Sequence, residues 1–142
     1  MSGYADTSFV VSLYTPDANS SSAAKLITRP RLPLLITPLG ELELMNALQL
    51  RVFRKELDPS EIRTANASFR RDLETGIFAI KPLSPGIFER ARLLARKQTA
   101  TLGMRTLDLL HVASALVLQA DALYTFDRQQ EKLARAEGLK LR

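Results

Sequence analysis

Residues 3–14, with the sequence GYADTSFVVSLY, place a single carboxylate at the head of an apolar segment. The segment is expected to be buried because of its large apolar side chains, which are Phe9, Val10, Val11, Leu13 and Tyr14. A buried charge such as that of Asp6 is costly unless something binds it. The same combination recurs in LELMNAL, TLDLLHVASALVL and LYTFDRQ. Four acids in apolar settings suggest one shared explanation.

The region around this segment predicts an alternation of strands and helices. YADTSFV predicts a short buried strand, after which Asp6, Thr7 or Ser8 is suited to cap a helix that continues past Pro16 through DANSSSAAKLI. LLIT, IFAIKPL and ALYTFD predict three more strands, and LKLR at the end of the chain is a candidate fifth. TLDLLHVASALVLQA is apolar on nearly every face and predicts a buried helix. This order favours an α/β fold with a mainly parallel, four- to five-stranded sheet and helices on both faces.

The composition excludes several kinds of site and favours others. The 142 residues fit one domain, 1–142, with enough chain for a hydrophobic core. The absence of cysteine excludes disulfides and thiolate metal sites, and a single histidine excludes a multi-histidine zinc site. With neither a signal-peptide pattern nor an apolar run of membrane-spanning length, a cytoplasmic protein that does not enter the membrane is expected. The net charge of +5 favours a polyanionic partner such as RNA, DNA or an acidic protein.

The four acids occupy positions at which functional sites form in parallel sheets. Asp6 and Asp127 lie near the carboxyl ends of predicted strands, Asp108 lies early in the buried helix, and Glu43 follows the second strand. If they converge, their mutual repulsion raises their pKa values, and a divalent cation reverses that effect. Oxygen ligands without cysteine or histidine favour Mg²⁺ or Mn²⁺, which are suited to phosphodiester hydrolysis.

Each acid also has a purely structural interpretation. Asp6 and Asp127 are favourable helix N-caps. Asp108 has Arg105 one turn earlier as an ion-pair partner. Glu41 and Glu43 lie about 200° apart around a helix, so only one of them can face a pocket.

Four motifs, in order, resemble those of a known family. YADTSFVVSLY, ELELMNAL, RTLDLLHVASAL and LYTFDRQQEKLARAEGL together resemble the PIN-domain ribonucleases, and most closely the VapC-type toxins of bacterial toxin–antitoxin pairs. The resemblance spans nearly the whole chain. It places the four metal-binding acids of the family on Asp6, Glu43, Asp108 and Asp127, and so selects Glu43 over Glu41.

The resemblance implies a three-layer α/β/α fold and RNA cleavage dependent on Mg²⁺ or Mn²⁺, with a metal-activated water attacking the phosphodiester. It also implies a homodimer and a cognate antitoxin, which would lay an amphipathic segment into an apolar groove and place a basic residue in the acidic pocket. Candidates for the groove or the dimer face, if they are not core residues, are Leu13, Leu26, Met45 and Val52.

Several residues near the acids are candidates for supporting functions. The hydroxyls of Thr7 and Thr125 can orient ligands or water, or can be structural. Arg105 is the best candidate among many basic residues to contact RNA phosphates. His111 lies three residues after Asp108, where a general base is chemically feasible, but the apolar helix favours a structural role.

Two other functions are compatible with the sequence. One is the same nuclease chemistry used in RNA processing or DNA cleavage outside a toxin–antitoxin pair. The other is a non-catalytic nucleic-acid-binding module, in which the acids only cap helices and hold arginine partners.

Overall fold

Four short parallel strands form one sheet in the computed structural model, which describes residues 2–142. In chain order the strands are β1 (Tyr4–Ala5), β2 (Leu34–Ile36), β3 (Phe78–Ile80) and β4 (Leu123–Tyr124), and their order across the sheet is β3-β2-β1-β4. All pairings are parallel, as predicted. The candidate fifth strand, LKLR, contributes only an isolated bridge between Leu141 and Leu123.

Helices connect the strands. They are α1 (Thr7–Tyr14), α2 (Ser20–Leu26), α3 (Pro38–Phe53), α4 (Pro59–Glu74), α5 (Pro85–Leu94), α6 (Ala100–Leu102), α7 (Thr106–Val117) and α8 (Arg128–Ala136). A 3₁₀ turn covers Arg29–Arg31, and a π-helical stretch, Ala95–Thr99, follows α5 directly. Within residues 2–142, no helix is both long enough and apolar enough to cross a membrane.

The prediction that the first helix continues through Pro16 is wrong. α1 ends at Tyr14, and Thr15 has extended backbone angles, with φ −136° and ψ 144°. A residue that precedes proline is driven away from helical angles by the proline ring, which explains the break. The chain resumes a helix only at Ser20.

Side-chain alternation along the strands produces a three-layer α/β/α arrangement. Tyr4, Leu35 and Leu123 belong to one buried cluster, which also contains residues of α5, α7 and α8. Their strand neighbours Ala5 and Tyr124 belong to a second cluster with residues of α1, α3 and α4. Because successive side chains of a strand point to opposite faces, each strand contributes to both cores.

The strand order creates a crevice between β1 and β4. The chain proceeds from β1 outward to β2 and β3, and then returns to place β4 on the other side of β1. The helix after β1 packs in one core and the helix after β4 packs in the other. Such a switch in direction opens a crevice at the carboxyl ends of the two strands, where α/β proteins bind ligands.

Gly3 precedes β1 in a position with no room for a side chain. A Cβ atom there would lie 2.3 Å from Cε1 of the buried Tyr124. We expect Gly3→Ala to lower the free energy of unfolding by about 1–3 kcal/mol, since the tyrosine ring must shift within a packed core. Denaturant unfolding measures this. Gly86→Ala is the control: its Cβ would meet nothing closer than 3.8 Å, so an equal loss there would contradict the steric explanation.

Glu137, just after α8, links the end of that helix to α5 and to the π-helical stretch. Its carboxylate accepts a hydrogen bond from Gln98 at 2.8 Å and pairs with Lys97 at 3.2 Å and Arg90 at 3.9 Å. Burial alone would raise its pKa, but the hydrogen bonds from Gln98 and Lys97 and the charges of Lys97 and Arg90 hold the pKa below its usual range.

Glu137→Gln is expected to destabilise the fold in a pH-dependent way. A lowered pKa in the folded chain means that the ionised carboxylate stabilises the fold above the ordinary value of about 4.3, and that this contribution is lost as the pH falls through the folded value. Thermal unfolding from pH 3 to 7 should give a difference from the wild type of about 0.5–1 kcal/mol at neutral pH that shrinks below about pH 4. A constant difference would contradict the assignment.

Candidate active site

A cavity of about 280 Å³ opens at the carboxyl ends of β1 and β4. All four predicted acids line it, although they come from four different segments of the chain. Its lining residues are Asp6, Thr7, Ser8, Glu43, Arg105, Thr106, Leu107, Asp108, His111, Asp127 and Gln130. The structure therefore brings the four acids together with two of the three supporting candidates, Thr7 and Arg105. The third, Thr125, does not line the cavity but donates a hydrogen bond to Asp6.

Asp6 is almost completely buried, at 1% exposure, where β1 passes into α1. Its Oδ1 accepts hydrogen bonds from the Phe9 backbone N–H at 3.0 Å and from the Ser8 hydroxyl at 2.7 Å. Its Oδ2 accepts from the Thr125 hydroxyl at 2.7 Å. Burial raises the pKa of Asp6, and this effect outweighs the opposing influence of His111, Ser8, Thr125 and the Phe9 N–H. The protein alone therefore does not fully stabilise the charged form.

Asp127 occupies the corresponding position after β4. Its Oδ1 caps α8 by accepting from the backbone N–H groups of Gln129 at 2.8 Å and Gln130 at 3.0 Å. Its own N–H donates to the Thr125 hydroxyl oxygen at 2.9 Å, so Thr125 links Asp6 to Asp127. One hydroxyl thus fixes the relative position of the acids that follow two neighbouring strands.

Asp108 lies in the first turn of α7 and is buried. Its Oδ2 accepts from Arg105 Nε at 3.0 Å, and its Oδ1 accepts from Gln130 Nε2 at 3.3 Å. The same guanidinium reaches Asp127 Oδ2 at 3.3 Å. Arg105, whose side chain is 70% exposed, therefore bridges two acids at the mouth of the cavity.

Glu43 extends from α3 and is half-buried. Its Oε1 accepts from the Thr7 hydroxyl at 2.8 Å and contacts Nε2 of His111. Burial alone would raise the pKa of Glu43, but the hydrogen bond and charge of His111 and the hydrogen bond of Thr7 hold it below its usual range. Glu41, on the same helix, is absent from the cavity lining.

Comparison with known proteins identifies the family. The model of the PIN domain family matches residues 4–136. The chain belongs to the PIN domain family. PIN domains are generally nucleases, and hence hydrolases, that use divalent metal ions. The resemblance to PIN domains inferred from the four motifs is confirmed.

Solved structures with this PIN fold share little sequence with the chain. A chain from a toxin–antitoxin complex of Klebsiella pneumoniae has 17% identity and a TM-score of 0.61, covering 88% of this chain and 86% of that one. A chain from the crystal structure of FitAcB from Neisseria gonorrhoeae has 18% identity and a TM-score of 0.67, covering 99% and 96% respectively. No curated protein matches the sequence.

The structural interpretations of the acids do not exclude their place in the PIN site. Asp6 and Asp127 are N-caps, and Asp108 is paired with Arg105, as the alternatives proposed. Yet each of these carboxylates also lines the cavity. Capping uses only Oδ1 of Asp6 and of Asp127. Oδ2 accepts from Thr125 in Asp6 and from Arg105 in Asp127.

Three residues of the site were missed or undervalued in the sequence. Ser8 binds Asp6 and also accepts from the Phe126 N–H at 3.0 Å, so it joins the two strand ends. Gln130 lies three residues after Asp127, a spacing that places it on the same helix face and gives a usable signal. His111 contacts Glu43, a residue 68 positions away, and no local pattern predicts that contact.

The acids share a cavity without forming a ready-made cation site. Among residues 2–142, no three histidine, aspartate or glutamate side chains stand in an arrangement that could hold a metal ion as they are. Protein donors engage all four carboxylates, and the guanidinium of Arg105 contacts two of them. A cation bound by these carboxylates would displace some of these contacts, and the side chain of Arg105 is the most exposed of the donors that pair with them.

Proposed function

We propose that this PIN domain is a metal-dependent endoribonuclease and the toxin of a toxin–antitoxin pair. The observation that carries the proposal is the convergence of Asp6, Glu43, Asp108 and Asp127 on one cavity at the sheet's switch point. Four carboxylates in one cavity repel each other, and a structural role in capping does not require them to share it. A divalent cation offsets that repulsion.

The donor set suits Mg²⁺ or Mn²⁺. All candidate ligands are hard oxygen atoms, and the chain has no cysteine. Gln130 adds a further oxygen: it lines the cavity at 5% exposure, and its Oε1 is buried with no hydrogen-bond partner among the described residues. An orphaned buried oxygen beside four carboxylates favours a cation or an ordered water as the missing partner. Asp6, Glu43 and Asp108 would be the core ligands, with Asp127 completing the set.

The chain's own residues prepare the site for hydrolysis. When bound, a divalent cation activates water near neutral pH and stabilises charge that develops on a phosphate. Ser8 and Thr125 hold Asp6, and Thr7 holds Glu43, which limits the freedom of both carboxylates. Burial raises the pKa of Asp6, and a cation bound beside it would lower that pKa and favour the charged carboxylate.

Arg105 is proposed to exchange its carboxylate partners for a substrate phosphate. Its guanidinium pairs with Asp108 and Asp127. Because its side chain is largely exposed, it can leave the acids at modest cost and contact a phosphate of RNA. The net charge of +5 supports a polyanionic substrate.

An antitoxin and a second copy of the chain are the proposed partners, and the cytoplasm is the proposed location. One of the similar solved structures is a toxin–antitoxin complex, which supports an antitoxin. A second cavity, of about 540 Å³, lies between α1 and α4 and includes Leu13, Tyr14 and Leu57. It is a candidate groove for an amphipathic segment. Leu13 lines this cavity and, like Leu26 and Val52, also packs against the core, whereas Met45 is 53% exposed.

The first test is cleavage of a mixed RNA pool by the purified chain with Mg²⁺ or Mn²⁺. We expect cleavage that EDTA abolishes and that Asp6→Asn reduces about 100-fold or more, since a cation ligand is lost. Glu43→Gln should be as severe, and Glu41→Gln, on the same helix outside the cavity, should retain activity.

Three results would overturn parts of this proposal. Unchanged cleavage by Asp6→Asn would exclude the cavity as the active site. Folded protein that binds no Mn²⁺ and cleaves no RNA would favour a non-catalytic binding module. Metal-dependent cleavage without growth arrest on expression would favour RNA processing or DNA cleavage outside a toxin–antitoxin pair.

Arg105→Gln should change metal binding and cleavage in opposite directions. Loss of the competing guanidinium is expected to tighten Mn²⁺ binding by roughly 2- to 5-fold, whereas loss of a phosphate contact should raise the KM for RNA. Calorimetric titration with Mn²⁺ and steady-state cleavage measure the two effects. Arg31→Gln is the matched control, because Arg31 pairs with Asp121 outside the cavity. Weaker Mn²⁺ binding by Arg105→Gln would contradict the proposed competition.

A further inference from the structure

A line of buried polar side chains leads from the sheet to Glu43. Tyr4 of β1 is fully buried, and its hydroxyl lies 2.8 Å from Nδ1 of His111. His111 of α7 is 1% exposed, and its Nε2 contacts Oε1 of Glu43 on α3. The imidazole ring of α7 thus connects strand β1 to helix α3.

Burying the polar ring of His111 costs free energy that an apolar side chain of similar size would not cost. The helix around it is apolar, and Val112, Ala113 and Ala115 are all fully buried. An imidazole in such surroundings must have both ring nitrogens paired or pay for desolvation, whereas leucine would carry no such cost. Both nitrogens of His111 are paired here, and one of the partners lies in the candidate active site.

The order of hydrogen bonds selects one tautomer. The ionised Glu43 carboxylate can only accept, so Nε2 of His111 carries the proton that faces it, and Nδ1 of the neutral ring is then left to accept from the Tyr4 hydroxyl. The Thr7 hydroxyl donates to the same oxygen, Oε1, at 2.8 Å. Among the described residues, Oε2 of Glu43 accepts no hydrogen bond. Thr7 and His111 therefore both bind Oε1 of Glu43, which leaves Oε2 for a ligand in the cavity.

We propose that Tyr4 and His111 are positioning residues that fix the orientation of the Glu43 carboxylate toward a divalent cation. This inference rests on the metal site of the proposed function. Tyr4 does not line the cavity and acts only through its hydrogen bond to Nδ1 of His111, which holds the imidazole ring in place. Such outer hydrogen bonds orient metal ligands in proteins, and their loss commonly lowers metal affinity by about 10- to 100-fold.

Tyr4→Phe is the decisive variant because it removes one oxygen atom and keeps the ring. Without the hydroxyl, Nδ1 of the buried ring has no partner, so the ring is no longer held in the orientation that directs Nε2–H at the carboxylate. We expect Mn²⁺ affinity, measured by calorimetric titration, to fall about 10-fold. For cleavage, kcat at a fixed subsaturating Mn²⁺ concentration should fall while the KM for RNA stays constant, since Glu43 does not contact the substrate in this scheme.

The chain offers a matched control for this variant in Tyr124. It is equally buried, and its hydroxyl has no hydrogen-bond partner among the described residues. Tyr124→Phe should leave Mn²⁺ affinity unchanged. An equal loss of affinity in the two variants would overturn the proposal in favour of a general packing effect.

Substitutions at His111 separate the hydrogen bond from the packing. His111→Leu should lower Mn²⁺ affinity by about 10- to 100-fold, and His111→Gln, which keeps an N–H donor of similar reach, should recover much of that loss. In a Glu43→Gln background, Tyr4→Phe should have no additional effect on Mn²⁺ affinity. Thermal unfolding of each variant identifies any that fails to fold, and Tyr4→Phe, as the mildest change, then carries the test.

The outcomes distinguish this inference from the proposed function. If the wild type binds no Mn²⁺, the metal site itself is wrong. If the wild type binds Mn²⁺ and Glu43→Gln weakens binding, but Tyr4→Phe and His111→Leu do not, the site stands and the positioning role is overturned.

Discussion

The burial of the Asp6 carboxylate at the end of β1 is the constraint on which the rest of the site depends. Its oxygens are held by the N–H of Phe9 and by the hydroxyls of Ser8 and Thr125, so it joins the start of α1 to the end of β4. These hydrogen bonds fix the position of the Asp6 carboxylate, but burial still raises its pKa. A carboxylate that is well held but poorly neutralised is suited to binding a cation.

Two helices of the site begin with an aspartate as the N-cap. Asp6 caps α1 and Asp127 caps α8, and the positive ends of these helices favour negative charge there. Because β1 and β4 are parallel neighbours whose helices leave to opposite faces, both caps open into the same crevice. Capping and ligand binding are therefore compatible uses of the same residues, and the choice between them posed by the sequence was not exclusive.

Much of the fold was predictable from local patterns. Asp58, Pro59 and Glu61 predict the start of α4, and both hydrogen bonds of the capping box are present. Short apolar runs between helices predicted the parallel sheet, since strands that feed helices in this way are buried on both faces. The exceptions lie where one local rule competes with another. The helix predicted to continue through Pro16 ends at Tyr14 because Thr15 precedes proline, and LKLR, a candidate strand, forms only one bridge.

The sequence by itself determined which acids to expect together, because the four motifs and their order predict a site at Asp6, Glu43 rather than Glu41, Asp108 and Asp127. Only the tertiary structure decided what surrounds them: Arg105 across two acids, the unpartnered oxygen of Gln130, and His111 between Tyr4 and Glu43. The physical reason is range. Caps, turns and periodicity act over a few residues, whereas the partners of His111 lie 107 and 68 positions away and meet only when the sheet forms.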